Sequence, residues 1–455
     1  MRAKLDYCSP IQTVGNKKAL EDIDRVQNQG LRLVCGAMRS TPIAACEIDA
    51  NIEPLDIRRN RTLVEATERY QRAESNHPNR RLVETWKPGN RLQQKSPLDL
   101  AASLSENHHL PTDRMQELRY SQSTPWKQIY QPEIKTSLLD KTVDKSTPQP
   151  ILMTAAYETI DSYPPTSIQA FTDGSAFKAT VFAGFGVFLK FPDKSSLCLS
   201  EPCGNICSNY TAEIKAMTTA VEKVHELCVK ERPPEDLVIY TDSKSALQAL
   251  ENHQSNNRDI EELRSCIDKV NEKFHINITL QWIPGHSGVY GNERADKLAK
   301  EGASKEQHDV PIDQSTVKQI LRNNCKEEWN NRWATGTTGR SVYYEMSRPN
   351  KSDPINQLSR TDQCIIFRLR TGHGIFNAHL NRINPRHEPL CRKCPHPYET
   401  AYHILFECPG LKDERENLLP PLPTPYNTLY LSKHQLLNTC EFYRLAMGIK
   451  RVDNS

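Results

Sequence analysis

The sequence predicts an α/β protein: a mixed five-stranded sheet with helices on its faces, a helical N-terminal segment, and a small zinc-binding C-terminal segment. Three observations carry this. Residues 168–202 hold three consecutive β-favouring runs. Residues 208–283 then alternate helical and apolar extended patterns, the signature of βαβ units. A Cys/His cluster runs from Cys391 to Cys408.

The 455 residues suffice for about three domains. A net charge of +3 gives no strong overall field, so nucleic-acid contact has to come from local patches. Met-Arg-Ala-Lys-Leu-Asp-Tyr at the start has no apolar leader core, and no run approaches 18 apolar residues. With fourteen Cys, this favours an intracellular, reducing setting, nucleus or cytoplasm, over a secreted or membrane one.

Residues 1–75 read as helical. Leu20, Ile23, Val26, Leu31 and Val34 recur near helical spacing, and a basic helix spans Leu55 to Arg72 around Leu55, Leu63, Val64 and Tyr70. Residues 76–165 are rich in Pro, Ser, Gln and Asn and read as a polar linker with one short helix. In residues 166–304, strands are expected at Ile168–Phe177, Thr180–Phe191 and Ser195–Pro202. A helix over Ser208–Lys230 buries Ile214, Met217, Val221, Val224 and Cys228. Leu237–Thr241 reads as a strand buried on both faces. Helices at Ser243–Glu251 and Asp259–Phe274 precede a last strand, Ile278–Ile283. Asn292 is placed to cap a final helix through Glu301, with Gly302 ending it. Residues 305–360 read as a polar connection with a helix near Val317–Trp333, residues 361–415 as a basic, His-rich segment, and residues 416–455 as a Pro-rich, then helical tail.

Four acids stand out. Asp173 follows a β run and precedes a glycine, a pattern that also suits a turn. Asp242 ends the apolar strand, where open α/β sheets place their sites; either it or Ser243 could cap the next helix. Glu213 lies early in its helix beside the buried stripe. Asp296 sits between Ala295 and Ala299, unusual company for a solvated face. Four carboxylates meeting at one sheet end would repel and retain protons. Two divalent ions, Mg²⁺ or Mn²⁺, would resolve that and suit a phosphodiester displacement. His286, on the glycine-framed loop Trp282-Ile-Pro-Gly-His286-Ser-Gly, suits proton transfer.

Taken together, Thr172-Asp-Gly-Ser175, Asn209-Tyr-Thr-Ala-Glu213, Tyr240-Thr-Asp-Ser243, Gly285-His-Ser-Gly288 and Gly291-Asn-Glu-Arg-Ala-Asp296 resemble the ribonuclease H family of the bacterial and retroelement type. The resemblance covers about a third of the chain. It implies that Asp173, Glu213, Asp242 and Asp296 bind two Mg²⁺ and that His286 assists turnover. It further implies that Asn209, Asn292 and Ser175 approach the substrate, an RNA–DNA hybrid. One departure is the short stretch Glu251–Ile260, which lacks the basic protrusion some members use to grip substrate.

The spacing Cys391-x2-Cys394-x8-His403-x4-Cys408 makes a closed Cys₃His set expected to hold a structural zinc. Neighbouring basic residues point to phosphate contacts, and so to RNA as a partner. The whole arrangement is similar to the C-terminal part of a non-LTR, jockey-like retrotransposon polyprotein. Asp24–Arg32 and Cys35–Pro42 are similar to the segment after a reverse-transcriptase palm, and Arg368–His373 to the segment after the nuclease. The sequence has no Tyr-x-Asp-Asp, so the expectation is a fragment with one nuclease and no polymerase centre. The competing reading is an inactive nucleic-acid-binding relic. A transposase or integrase is disfavoured because those constellations end in Glu.

Overall fold

The computed structural model describes residues 5–14, 16–87, 96–118, 130–139, 147–230, 236–252, 257–350, 352–423 and 425–449. Residues 253–256, at the centre of the short stretch without a basic protrusion, lie outside the described residues. The chain forms two compact units. One comprises Val64–Gln93 and Leu98–Arg322, the other Met1–Leu63, Gln94–Pro97 and Asn323–Ser455.

The first unit is built on a six-stranded sheet in the order β1-β6-β5-β2-β3-β4. The strands are β1 (Glu133–Lys135), β2 (Ile168–Phe177), β3 (Val181–Lys190), β4 (Ser196–Ile206), β5 (Asp236–Thr241) and β6 (Asn277–Trp282). β2, β3 and β4 are antiparallel, while β5, β6 and β1 join in parallel. Five strands match the sequence pattern. The sixth, β1, comes from the segment read as a linker, because three residues with a half-exposed face carry no periodicity to detect. That segment also holds helices at Pro78–Thr85 and Pro97–Asn107, and α1 (Gln149–Asp161). The linker reading is therefore corrected.

Four further helices pack on the sheet: α2 (Asn209–Lys230), α3 (Lys244–Glu251), α4 (Arg258–Phe274) and α5 (Tyr290–Ser304). Side chains alternate along each strand, so Ile168 and Ala170 of β2 and Leu237 and Ile239 of β5 join α2, α3 and α4 in one core layer. Phe171 of β2 and Val238 and Tyr240 of β5 face the other layer, with Ala155, Ala156 and Ile160 of α1 and Ala295 and Leu298 of α5. β5 is thus buried on both faces, as its unbroken apolar run requires.

Glycines set the helix-to-sheet distance. A Cβ on Gly186 would lie 2.3 Å from the Ala295 carbonyl oxygen, and one on Gly184 would lie 2.0 Å from the Ala303 nitrogen. Small residues flank Asp296 because α5 lies almost directly on β3. Gly302 does not end this helix; a Cβ there would meet the Glu201 carbonyl oxygen at 2.4 Å. Asn292 is not the cap either. α5 starts at Tyr290, and Asn292 is buried inside its first turn.

The second unit is helical. In Lys17–Cys35 the inward stripe is Gln27, Leu31 and Cys35, while Val26 and Val34 are exposed, contrary to the spacing argument. The deciding contact is polar: Arg58 Nη2 donates to Gln27 Oε1 at 2.9 Å, so a buried glutamine takes the place of a valine. Along Leu55–Gln71, which runs from this unit into the first, Leu55, Leu63 and Val64 are buried as expected, and Tyr70 is exposed. A separate core gathers Ile366, Phe376, Leu405, Cys408, Leu436 and Phe442, with Cys391 and Cys394 packed against it.

Candidate active site and metal centre

The acids come together at one end of the sheet. β2 does not turn after Asp173 but continues to Phe177. The glycine has another purpose: a Cβ on Gly174 would lie 2.5 Å from the Glu213 nitrogen and 2.9 Å from the Ala212 Cβ. Any other residue there would push α2, and Glu213 with it, away from Asp173. The Gly174 N–H donates to Asp173 Oδ1 at 2.9 Å.

Asp242 follows β5 directly. Ser243, not Asp242, caps α3, accepting from the Ala246 N–H at 3.3 Å, which leaves the Asp242 carboxylate free to face the site. Its backbone is anchored by Trp282 Nε1, which donates to the Asp242 carbonyl at 3.2 Å. Gly285 makes room for its side chain, since a Cβ there would lie 2.3 Å from Asp242 Oδ2. Asp296 is brought in by α5 and is held by Lys300 Nζ at 2.6 Å.

Electrostatics shows how closely the acids sense one another. Burial, followed by the charges of Asp242 and Asp296, pushes the Asp173 carboxyl up to about 8. Burial pushes Glu213 up to about 7, with Asp242 adding to the rise and a hydrogen bond from Ser243 opposing it. Asp242 is also raised by burial, against the pull of His286. The acids do not collapse into a set whose donor atoms all lie within 4.8 Å of one another; among the described residues only Cys/His-containing groups do that. A partly buried, oxygen-only donor set fits hard divalent cations such as Mg²⁺ or Mn²⁺.

His286 is exposed and sits in the left-handed region at φ 50°. Its carbonyl accepts from Gln149 Nε2 at 3.2 Å, and the neighbouring Tyr290 N–H donates to the Tyr157 hydroxyl at 3.1 Å. Both contacts come from α1, which the sequence reading missed. Its legible signal was a helix start with proline at the second position, followed by Ala155, Ala156 and Ile160 at helical spacing. The amide oxygens of Asn209 and Asn292 are buried without a hydrogen-bond partner. Ser175 lies in a groove of about 760 Å³ lined also by Lys178, Phe182, Lys300 and Lys305.

In the helical unit, donor atoms of Cys391, Cys394, His403 and Cys408 all lie within 4.8 Å of one another. Cys391 Sγ and Cys408 Sγ are 3.8 Å apart, and Cys394 Sγ is 3.3 Å from His403 Nε2. Two thiolates at about 2.3 Å from one tetrahedral zinc stand roughly 3.8 Å apart, so the set fits zinc. Glu407 Oε2 lies 3.5 Å from His403 Nδ1, the ring nitrogen turned away from the cluster. The loops carrying the ligands touch at Gly410, whose Cβ would meet the Lys393 carbonyl oxygen at 2.1 Å.

Residues 165–304 match the family model described as RNase H. The ribonuclease H of Saccharomyces cerevisiae is 28% identical over 163 residues, which cover 30% of this chain and 46% of that protein. A retrovirus-related Pol polyprotein from type-1 retrotransposable element R1 of Popillia japonica is 27% identical over 207 residues, covering 45% of this chain and 79% of that one. Among solved structures, LC11-RNase H1 in complex with an RNA/DNA hybrid is 19% identical, with 30% of this chain and 99% of that chain covered and a TM-score of 0.26. The chain therefore spans less than half the length of the yeast protein it matches.

Proposed function

We propose that this chain, whose residues 165–304 form an RNase H domain within a retroelement-type polyprotein, is a metal-dependent endonuclease that hydrolyses the RNA strand of RNA–DNA hybrids. The observation that carries this reading is the set of four acids delivered by four elements to one sheet end, with Asp173 raised by burial and by Asp242 and Asp296.

Asp173, Glu213, Asp242 and Asp296 hold two Mg²⁺, which together supply charge neutralisation and water activation for an in-line displacement. The remaining work belongs to the chain's own side chains. Gly174 and Gly285 fix how near Glu213 and Asp242 stand to Asp173. Asn209 and Asn292, each with an amide oxygen that no protein group pairs, approach the nucleic acid, and Ser175 lies in the lysine-lined groove. His286, on the loop tethered by α1, takes and releases a proton as product leaves. Selection for RNA rests on its 2′-hydroxyls and groove shape rather than base edges. Cys391, Cys394, His403 and Cys408 hold a structural zinc, and the basic segment around them binds RNA through its phosphates.

The test is cleavage of a labelled RNA–DNA hybrid by the full chain with Mg²⁺, beside Asp242→Asn and beside single-stranded and duplex RNA. Hybrid-selective cutting that Asp242→Asn abolishes supports the reading. No cutting by folded protein in Mg²⁺ or Mn²⁺ overturns it in favour of a binding relic.

A further inference from the structure

α1 meets the His286 loop at three points in matching order. Gln149 Nε2 donates to the His286 carbonyl at 3.2 Å. A Cβ on Gly288 would lie 3.0 Å from Met153 Sδ. The Tyr290 N–H donates to the Tyr157 hydroxyl at 3.1 Å. Positions 149, 153 and 157 recur every four residues, so they form one stripe along the helix. Their partners, 286, 288 and 290, are alternate residues of the loop. The loop therefore runs along this stripe in the same direction as α1.

The loop's backbone calls for such support. His286 holds φ 50° and Gly288 φ 86°, and a non-glycine residue stays in the left-handed region only where its surroundings over-determine it. Within the loop, Ser287 Oγ donates to the Pro284 carbonyl at 2.7 Å and the Gly288 N–H to Glu293 Oε1 at 3.3 Å. α5 begins just beyond, and its cap residue Val289 makes no side-chain cap bond. The Tyr157 hydroxyl answers one of the N–H groups that a helix start leaves over. α1 is itself held on the sheet by buried Ala155, Ala156 and Ile160, whereas Gln149, Met153 and Tyr157 are exposed. Its grip on the sheet and its grip on the loop thus belong to different side chains. α1 also lies ahead of residue 165, where the family match begins.

We infer that Gln149, Met153 and Tyr157 are positioning residues for His286: a strap that keeps its imidazole where it takes and releases a proton. This role rests on the nuclease reading and on His286 acting in turnover. Gln149 fixes the His286 peptide, and Tyr157 fixes the far end of the loop at Tyr290. With both bonds cut, His286 leaves its strained backbone more readily and its ring sweeps a wider arc, so proton transfer slows. Substrate binding is spared, because none of the three residues lines the groove that holds Ser175.

The experiment is hybrid cleavage by the full chain carrying Gln149→Met together with Tyr157→Phe, in the presence and absence of His286→Ala. Each α1 change removes a hydrogen-bonding group and keeps the bulk, at an exposed position where the fold is tolerant. The pair is expected to lower kcat about fivefold and leave KM within about twofold. With His286→Ala present, the same pair should change kcat by less than about twofold, since a strap acts only through the residue it positions. Hydrogen exchange without divalent cation reads the strap apart from activity. The Gly288 amide, whose own partner is Glu293, should exchange about tenfold faster in the pair, while the Leu280 amide of β6 keeps its protection. Equal losses of kcat with and without His286 overturn the assignment and point to α5 and Asp296 instead. A rise in kcat overturns it by making α1 a brake, and unchanged Gly288 exchange overturns it by showing that the loop holds itself. No cutting by the unaltered chain is the separate failure of the nuclease reading, and this role falls with it.

Discussion

Gly285 stands where any side chain would collide with the carboxylate of Asp242, its Cβ falling 2.3 Å from Oδ2. Its backbone is not in the left-handed region, so alanine is tolerated by the chain and resisted only by the acid. Gly285→Ala is expected to lower hybrid cleavage by at least about tenfold, from displacement of one reacting-site ligand. The melting temperature should move little. A large fall in melting temperature with unchanged activity per folded molecule would show that the glycine serves packing alone.

Asp173 and Glu213, raised to about 8 and about 7, bind protons in the folded chain that unfolded carboxyls near 4 release. Their contribution to stability is therefore fully present below about pH 4 and declines as pH rises toward 8. Divalent cations should reverse this by displacing the protons. Titrating the folded chain with Mg²⁺ near pH 7 is expected to release on the order of one proton per molecule, and affinity should weaken as pH falls. Calorimetry in buffers of different ionisation enthalpy measures the release. A pH-independent Mg²⁺ affinity between 6 and 8 would refute it.

Asp173→Asn separates stability from function. It removes the acid most burdened by burial and by its neighbours, so the cation-free protein should melt a few degrees higher. The same change should lower cleavage by about a hundredfold or more. Thermal melts with and without Mg²⁺ provide the check, and the gain from added Mg²⁺ should shrink in the variant.

The Cys391, Cys394, His403 and Cys408 set should carry one zinc per chain by elemental analysis. Removal by a zinc-selective chelator, with Mg²⁺ held constant, is expected to expose the amides of Ile404 and Leu405 to hydrogen exchange, because their core shares Cys408 with the site. Cys394→Ser should do the same. Zinc-free protein with those amides still protected would leave the four residues as ordinary core and surface.

The sheet was legible because alternation and unbroken apolar runs mark strands directly: Leu237–Tyr240 announced a strand buried on both faces, and burial there is complete. The acids were legible as types in recognisable settings. What stayed hidden was whatever depended on contact rather than period. Gly174 read as a turn and proved to be a point of close approach. Asn292 read as a cap and proved to be a buried residue with an unpaired amide oxygen. Val26 and Val34 read as core and lost that place to Gln27, whose value lies in a partner 31 residues away. α1 escaped because its surroundings are polar, although its own buried face is small and apolar.

The three-residue strand β1 lies along the outer side of β6. Without it, β6 would present its unpaired peptide groups to solvent, a template on which another chain's strand can dock. The family match begins at residue 165, so a fragment cut to that boundary loses β1 together with α1. Such a fragment would retain every acid, yet carry a raw sheet margin and an uncovered apolar face, and it should self-associate where the longer chain stays dispersed. A piece of this chain that keeps its sheet margin covered is therefore expected to begin some thirty residues ahead of the family match, at or before β1.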